Sequence, residues 1–169
     1  MLIWEVETQK KFLEGDLYMN YEINEGTLAV ISLEDSKSRV LEDEKEYVIN
    51  TKAFDIMDNS CKYFGSSYEG RKEGTKAILN VDYKVPIVVE SSSNLIFFPT
   101  TSPSSEDCSW ISLKDIQSFE EVSNQCTEIT FNNGIKITIP VSIRMIENQI
   151  LRASRLDLII RNRKIEKNS

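Results

Sequence analysis

The stretch that most limits how this chain can fold is Thr127 to Pro140. Its two arms, Thr127-Glu128-Ile129-Thr130-Phe131 and Ile135-Lys136-Ile137-Thr138-Ile139, alternate polar and apolar side chains around Asn132-Asn133-Gly134. Alternation with period two puts one kind of side chain on each face of a strand. Asn-Gly between two such arms marks a hairpin turn, because both residues tolerate φ > 0. The stretch predicts an antiparallel hairpin. Ile129, Phe131, Ile135, Ile137 and Ile139 face the core, while Glu128, Thr130, Lys136 and Thr138 face solvent.

Further runs read as strands. Leu17 to Ile23 and Thr27 to Leu33 form a second predicted hairpin around Asn24-Glu25-Gly26. Tyr47-Val48-Ile49, Lys76 to Val81, Pro86 to Val89, Asn94 to Pro99 and Trp110 to Leu113 add short strands. Pro86 opens its strand, where a missing N–H is tolerated. Thr51 to Asp58 fits either a strand or a helical turn. Glu34 to Glu46, with three basic and six acidic side chains, reads as a solvated loop. Thr100 to Asp107 reads as a polar loop. Residues 1–16 show no clear period and are expected to be a loosely attached segment; residues 17–165 form the domain and 166–169 a tail. Ser142 can cap a final helix, and Ile143, Ile146, Ile150, Leu151, Ala153, Ser154, Leu158 and Ile159 recur at helical spacing. No strand–helix alternation calls for a parallel sheet. The predicted fold is α+β: one domain, an antiparallel β-rich core of six to nine strands, and one long C-terminal amphipathic helix.

Composition narrows the function. With 169 residues and a 40% hydrophobic fraction the chain supports one domain with a real core. No apolar run approaches a membrane span of ~18 residues, and Met1 to Glu5 lack the basic start of a signal peptide. Three scattered cysteines, Cys61, Cys108 and Cys126, suit a reducing cytoplasm. The chain has no histidine, which removes the commonest general base and the Ser-His-Asp and Cys-His arrangements. No enzyme motif, metal site or cofactor is expected. Net charge is −7, but it is uneven. Residues 1–60 carry 6 Lys/Arg against 14 Asp/Glu, residues 61–143 carry 7 against 10, and residues 144–169 carry 7 against 3. Such a chain can bind DNA through a local basic patch, with few ion contacts.

That patch is sought in residues 61–76, which hold three of the six glycines and four basic side chains. Gly65, Gly70 and Gly74 permit unusual backbone angles and close approach. Lys62, Arg71, Lys72 and Lys76 supply positive charge and donors. Tyr63, Phe64 and Tyr68 can stack, wedge or pack. Ser66, Ser67 and Thr75 can donate to phosphate. Three readings stand side by side: an ordinary surface loop, a nucleotide-phosphate loop, and a nucleic-acid contact. Gly65 and Gly70 have Walker-A spacing, but Arg71-Lys72-Glu73 follows where Lys-Ser/Thr is needed, and a strand is predicted next. A second cationic surface is carried by Arg144, Arg152, Arg155, Arg161, Arg163 and Lys164. The same residues also suit the dipole at a helix C-terminus, and a helix of this length suits dimerisation.

The run Phe64-Gly65-Ser66-Ser67-Tyr68-Glu69-Gly70-Arg71-Lys72-Glu73-Gly74-Thr75 resembles the signature of the ComK competence transcription factors, aromatic-Gly-Ser-Ser-Tyr-x-Gly-Arg-Lys-x-Gly-Thr. Pro86-Ile87-Val88-Val89, Ile96-Phe97-Phe98-Pro99-Thr100 and Cys108-Ser109-Trp110-Ile111-Ser112 are similar to further family stretches, with Val85 in place of a family proline. Ser142, Glu147-Asn148-Gln149 and Arg152 are similar to another. The resemblance covers roughly residues 18–160. It implies a sequence-specific, DNA-binding transcription regulator acting on genes for DNA uptake and natural transformation. It also implies A/T-rich boxes read from the minor groove, homo-oligomers spanning two boxes, a proteolytic adaptor as partner, and a cytoplasmic location. Arg71 and Lys72 are the expected groove or phosphate contacts. Family members usually continue into a basic C-terminal segment linked to activation, whereas this sequence ends at Ser169. Activation, repression and binding alone are therefore left open. A protein-interaction module using the acidic N-terminal third or the C-terminal helix is the alternative from another class.

Overall fold

The Asn-Gly hairpin forms as the alternation requires. In a computed structural model, which describes residues 20–168, β8 (Cys126–Phe131) and β9 (Lys136–Ile139) pair antiparallel with Ile129 opposite Ile137. Gly134 takes φ +88° in the turn, a conformation that favours glycine. Ile129, Phe131, Ile137 and Ile139 are buried, and Lys136 and Thr138 are exposed. A long strand that the sequence reading did not mark, β7 (Ile116–Ser123), pairs with the other edge of β8.

The rest of the β structure is one six-stranded antiparallel sheet of β1 (Thr27–Ser32), β2 (Ser38–Glu42), β3 (Glu46–Ile49), β4 (Ile87–Glu90), β5 (Leu95–Pro99) and β6 (Trp110–Ser112). Its strand order is β3-β2-β1-β6-β5-β4. Three helices are described: α1 (Ala53–Tyr63), α2 (Tyr68–Leu79) and α3 (Ile143–Lys167). The sheet is buried on both faces, which is why β5 reads as a continuous apolar run. Leu95 and Phe97 point into a core shared with Ile56, Met57 and Cys61 of α1 and Tyr68 of α2. Ile96 and Phe98 point the other way, into a core shared with Ile129, Phe131, Ile137 and Ile139 of the small sheet and Ile146, Ala153 and Leu156 of α3.

The α+β class with a long C-terminal helix holds, but three local expectations are corrected. Residues 20–24 form no strand, so β1 has no partner there; the expectations for residues 1–19 lie outside the described residues. β1 pairs instead with β2, inside the segment expected to be a solvated loop. Asp35 and Ser36 both take positive φ, 57° and 59°, and make the tight turn whose twist matches a hairpin. Five strand residues were hidden there among dense charge. Of the two readings of Thr51 to Asp58 the helical one holds from Ala53 on, as the start of α1. The predicted strand Lys76 to Val81 is also helical up to Leu79, and Asn80 ends it in the left-handed conformation at φ 54°. Gly70 and Gly74 lower the helix propensity of this segment by about 1 kcal/mol each. Burial of Tyr68, Thr75 and Leu79 on one helical face overrides that cost.

Candidate nucleic-acid interface

Residues 61–76 are the end of one helix, a four-residue turn and most of the next helix, rather than an extended loop. α1 buries Ala53, Ile56, Met57, Ser60 and Cys61 at helical spacing. Its end is closed by two backbone bonds, Gly65 N–H to the Lys62 carbonyl at 3.0 Å and Ser66 N–H to the Cys61 carbonyl at 3.0 Å. Gly65 takes φ +87°. This pairing is the Schellman arrangement, which satisfies the last carbonyls of a helix and favours glycine in the left-handed position. The Ser67 hydroxyl then caps α2 by accepting from Gly70 N–H at 3.0 Å. A Cβ on Gly70 would lie 2.9 Å from Ser66 Oγ, so glycine lets helix and turn approach.

Asp58, which sequence reasoning did not single out, ties the two helices together. Its Oδ1 accepts from Tyr68 N–H at 2.9 Å, and its other oxygen pairs with Lys62 Nζ at 2.8 Å. The Lys62 hydrogen bond, followed by that from Tyr68 N–H, holds the Asp58 carboxyl below its ordinary range. A carboxylate ten residues ahead of the amide it accepts from has no local sequence signature.

The expected site residues separate into three groups. Tyr68 and Thr75 are buried. The Tyr68 ring packs on Phe54 and on Trp110, with centroids 4.7 and 5.9 Å apart. Lys62 and Lys76 are paired with acids, Lys62 with Asp58 and Lys76 with Glu73 at 3.5 Å and Asp82 at 3.4 Å. Tyr63, Phe64, Gly65, Ser66, Ser67, Gly70, Arg71, Lys72 and Gly74 remain on or near the surface. Tyr63 is 68% exposed and meets Phe64 edge to face, making an apolar knob beside the turn.

Arg71 and Lys72 are the two cations of this element that make no ion pair among the described residues. Arg71 is half-buried; its Nη2 lies 3.5 Å from the Phe64 carbonyl, and its Nε is buried without a partner. Burial pushes the neighbouring Cys61 thiol up to about 11, even though the Arg71 charge pulls it down. Lys72 lines a cleft of about 790 Å³ beside Phe54, Tyr83, Glu34 and Asp35. The outer face of α2 exposes Glu69 and Glu73, which repel phosphate, so the helix does not suit lying lengthwise against DNA. A helix does follow the glycine turn, contrary to the expected strand. But a helix also precedes it and Gly70 lies inside α2, so no strand–loop–helix phosphate cradle exists.

The second cationic group divides as well. Arg152 donates to the Tyr83 carbonyl at 2.8 Å, and Gln149, 1% exposed, donates to the carbonyls of Lys84 and Pro99 at 3.0 and 2.8 Å. These bonds fasten the segment that follows α2 onto α3, a positioning role for Gln149 and Arg152. Arg161 pairs with Asp157 at 2.9 Å. Lys164 bonds the Ser91 carbonyl. Arg144, Arg155 and Arg163 are exposed. No helix among the described residues is long and apolar enough to cross a membrane.

No solved structure matches the chain significantly. A curated relative, the "Competence transcription factor" of Bacillus subtilis (strain 168), is 38% identical over 138 residues, which cover 80% of this chain and 72% of that protein. The family described as "ComK protein" matches residues 18–165, an interval that takes in both sheets, the α1–α2 element and nearly all of α3. On that extent of match, the chain belongs to the ComK family.

Proposed function

We propose that this chain is a DNA-binding transcription regulator of the competence type, and that the α1–turn–α2 element is its DNA contact. The observation that carries the reading is the pair Arg71 and Lys72. Among the described residues they are cations without ion pairs, in an element whose other two lysines are neutralised, and they lie in the first turns of the helix that follows the turn beside exposed Tyr63. Arg71 is already partly desolvated, and the planar guanidinium suits phosphate or base-edge acceptors. Narrow A/T minor grooves concentrate negative potential and favour an inserted arginine. An aromatic wedge such as Tyr63 with Phe64 fits between base steps there. The Ser66 and Ser67 hydroxyls donate to phosphate beside the turn, while Tyr68 and Thr75 position the element from beneath. The protein works as a homo-oligomer on two A/T-rich boxes in front of DNA-uptake genes, and a proteolytic adaptor is a further partner.

The reading is tested by fluorescence anisotropy of the protein on an A/T-box duplex and a G/C-matched duplex across a salt series. Wild type should prefer the A/T duplex. Arg71→Ala/Lys72→Ala should lose that preference and flatten the salt slope by about two units, one for each contact removed. Equal, feeble binding to both duplexes by wild type would overturn the proposal.

A further inference from the structure

The cleft beside Lys72 opens where five segments meet: the β1–β2 turn, the start of α1, the start of α2, the segment after α2, and the loop between β5 and β6. Its volume of about 790 Å³ falls in the range of small-molecule sites, which join apolar and aromatic walls to a few placed polar groups. Phe54 and Tyr83 line it at 36% and 60% exposure. Tyr68 lines it too, although it is only 4% exposed. The Tyr68 hydroxyl makes no hydrogen bond to any described residue. Nor is it sealed from solvent, as the unpartnered Arg71 Nε and Trp110 Nε1 are. A nearly buried hydroxyl without a protein partner is rare, and this one keeps an opening on the cleft that its residue lines.

The charge of the lining selects the sign of what can enter. It holds seven carboxylates and four lysines. Asp82 is already paired with Lys76 at 3.4 Å, and Lys84 Nζ sits 5.1 Å from the centroid of the Tyr83 ring. Of the rest, six carboxylates, among them Asp55, Glu69 and Asp107, stand with three lysines, and none is in an ion pair among the described residues. An anion meets a surplus of like charge there, and a cation a surplus of opposite charge. Aromatic faces also attract cations, as Lys84 over Tyr83 shows. Burial, and next the charge of Glu69, raise the Tyr68 phenol above its ordinary range. The phenol therefore stays protonated, with a carboxylate close enough to act on it.

We propose that this cleft binds a small organic cation, a primary amine on an aromatic body. The body packs against Phe54 and Tyr83. The ammonium donates to the Asp55 and Glu69 carboxylates and to the Tyr68 hydroxyl, which gains the partner it lacks. Glu69 and Lys72 belong to α2, so the cleft shares an element with the DNA contact proposed above. Ligand binding is measured without DNA, so that the two readings fail separately.

The test is nuclear magnetic resonance of the full chain with isotope-labelled phenylalanine and tyrosine rings. The probes are phenethylamine, the neutral phenethyl alcohol and the anionic hydrocinnamate, each titrated to about 10 mM. The amine should shift the ring signals of Phe54, Tyr68 and Tyr83 and leave that of Tyr63, which lies outside the cleft, in place. The alcohol should bind at least about tenfold more weakly, because it lacks the charge-assisted bonds, and hydrocinnamate should not bind. Tyr68→Phe keeps the ring and should weaken the amine about three- to tenfold. Asp55→Asn/Glu69→Gln, at two exposed positions, should weaken the amine and leave the alcohol unchanged, which separates lost charge from a disturbed fold. The proposal is overturned if the cleft rings do not move with the amine, or if the alcohol or the acid binds as well as the amine does. It is equally overturned if either folded variant binds the amine as wild type does.

Discussion

At the scale of single residues, the three glycines of the family motif answer to different demands. Gly65 is held at φ +87°, where a Cβ is strained, so Gly65→Ala should cost about 1–2 kcal/mol. Gly70 lies against two hydroxyls: a Cβ there would sit 2.9 Å from Ser66 Oγ and 3.3 Å from Ser67 Oγ, which would have to shift. Gly74 meets neither condition: a Cβ there finds nothing within 4 Å, and the residue is exposed inside a helix. Gly74→Ala should therefore raise stability by about 1 kcal/mol, the ordinary propensity gain. If the bare backbone at Gly74 lets a DNA strand approach, the same substitution should weaken A/T-box binding. Thermal melting and anisotropy on one preparation read both effects, and a variant gaining stability with unchanged binding would remove Gly74 from the site.

At the scale of the element, the turn between α1 and α2 is held by Asp58 across to Tyr68 N–H. Asp58→Ala removes that acceptor and the partner of Lys62, and should cost about 1–2 kcal/mol. Because the folded-state carboxyl titrates below its ordinary value of 3.8, its contribution is fully present above about pH 4. It is lost as pH falls through the lowered folded-state value. Urea unfolding at about pH 6 and about pH 3 should show wild type losing more stability on acidification than Asp58→Ala does. Equal losses would mean that Asp58 does not hold the turn.

At the scale of the whole molecule, α3 closes the core between the large sheet and the β7–β8–β9 sheet. Leu156 is fully buried there, so Leu156→Ala should cost about 2–5 kcal/mol. Leu158, two residues on and exposed, should tolerate alanine within about 0.5 kcal/mol. Denaturant titration of both variants checks which face of α3 is buried. β1 is joined to β6 across about eighty residues of chain, with Ala29 opposite Ile111. The α1–α2 element and the three strands before it are therefore positioned by the second half of the chain.

Much of this architecture was legible in the sequence because it rests on local physics. The β8–β9 hairpin followed from alternation and Asn-Gly, β5 from its apolar run, and α3 from the cap at Ser142 and the helical spacing behind it. The motif of residues 64–75 was legible because its residues are local in the chain. Tertiary structure decided what depends on distant partners. It made a helix of Lys76 to Leu79, since the sheet buries Tyr68, Thr75 and Leu79 on one face against the propensity of two glycines. It paired β1 with β2, because strand pairing is chosen by a whole sheet and charge density hid β2. It also sorted the cations: Lys62 and Lys76 found carboxylates in space, while Arg71 and Lys72 did not. Sequence spacing places charges along a chain, but only the folded arrangement determines which of them are already neutralised.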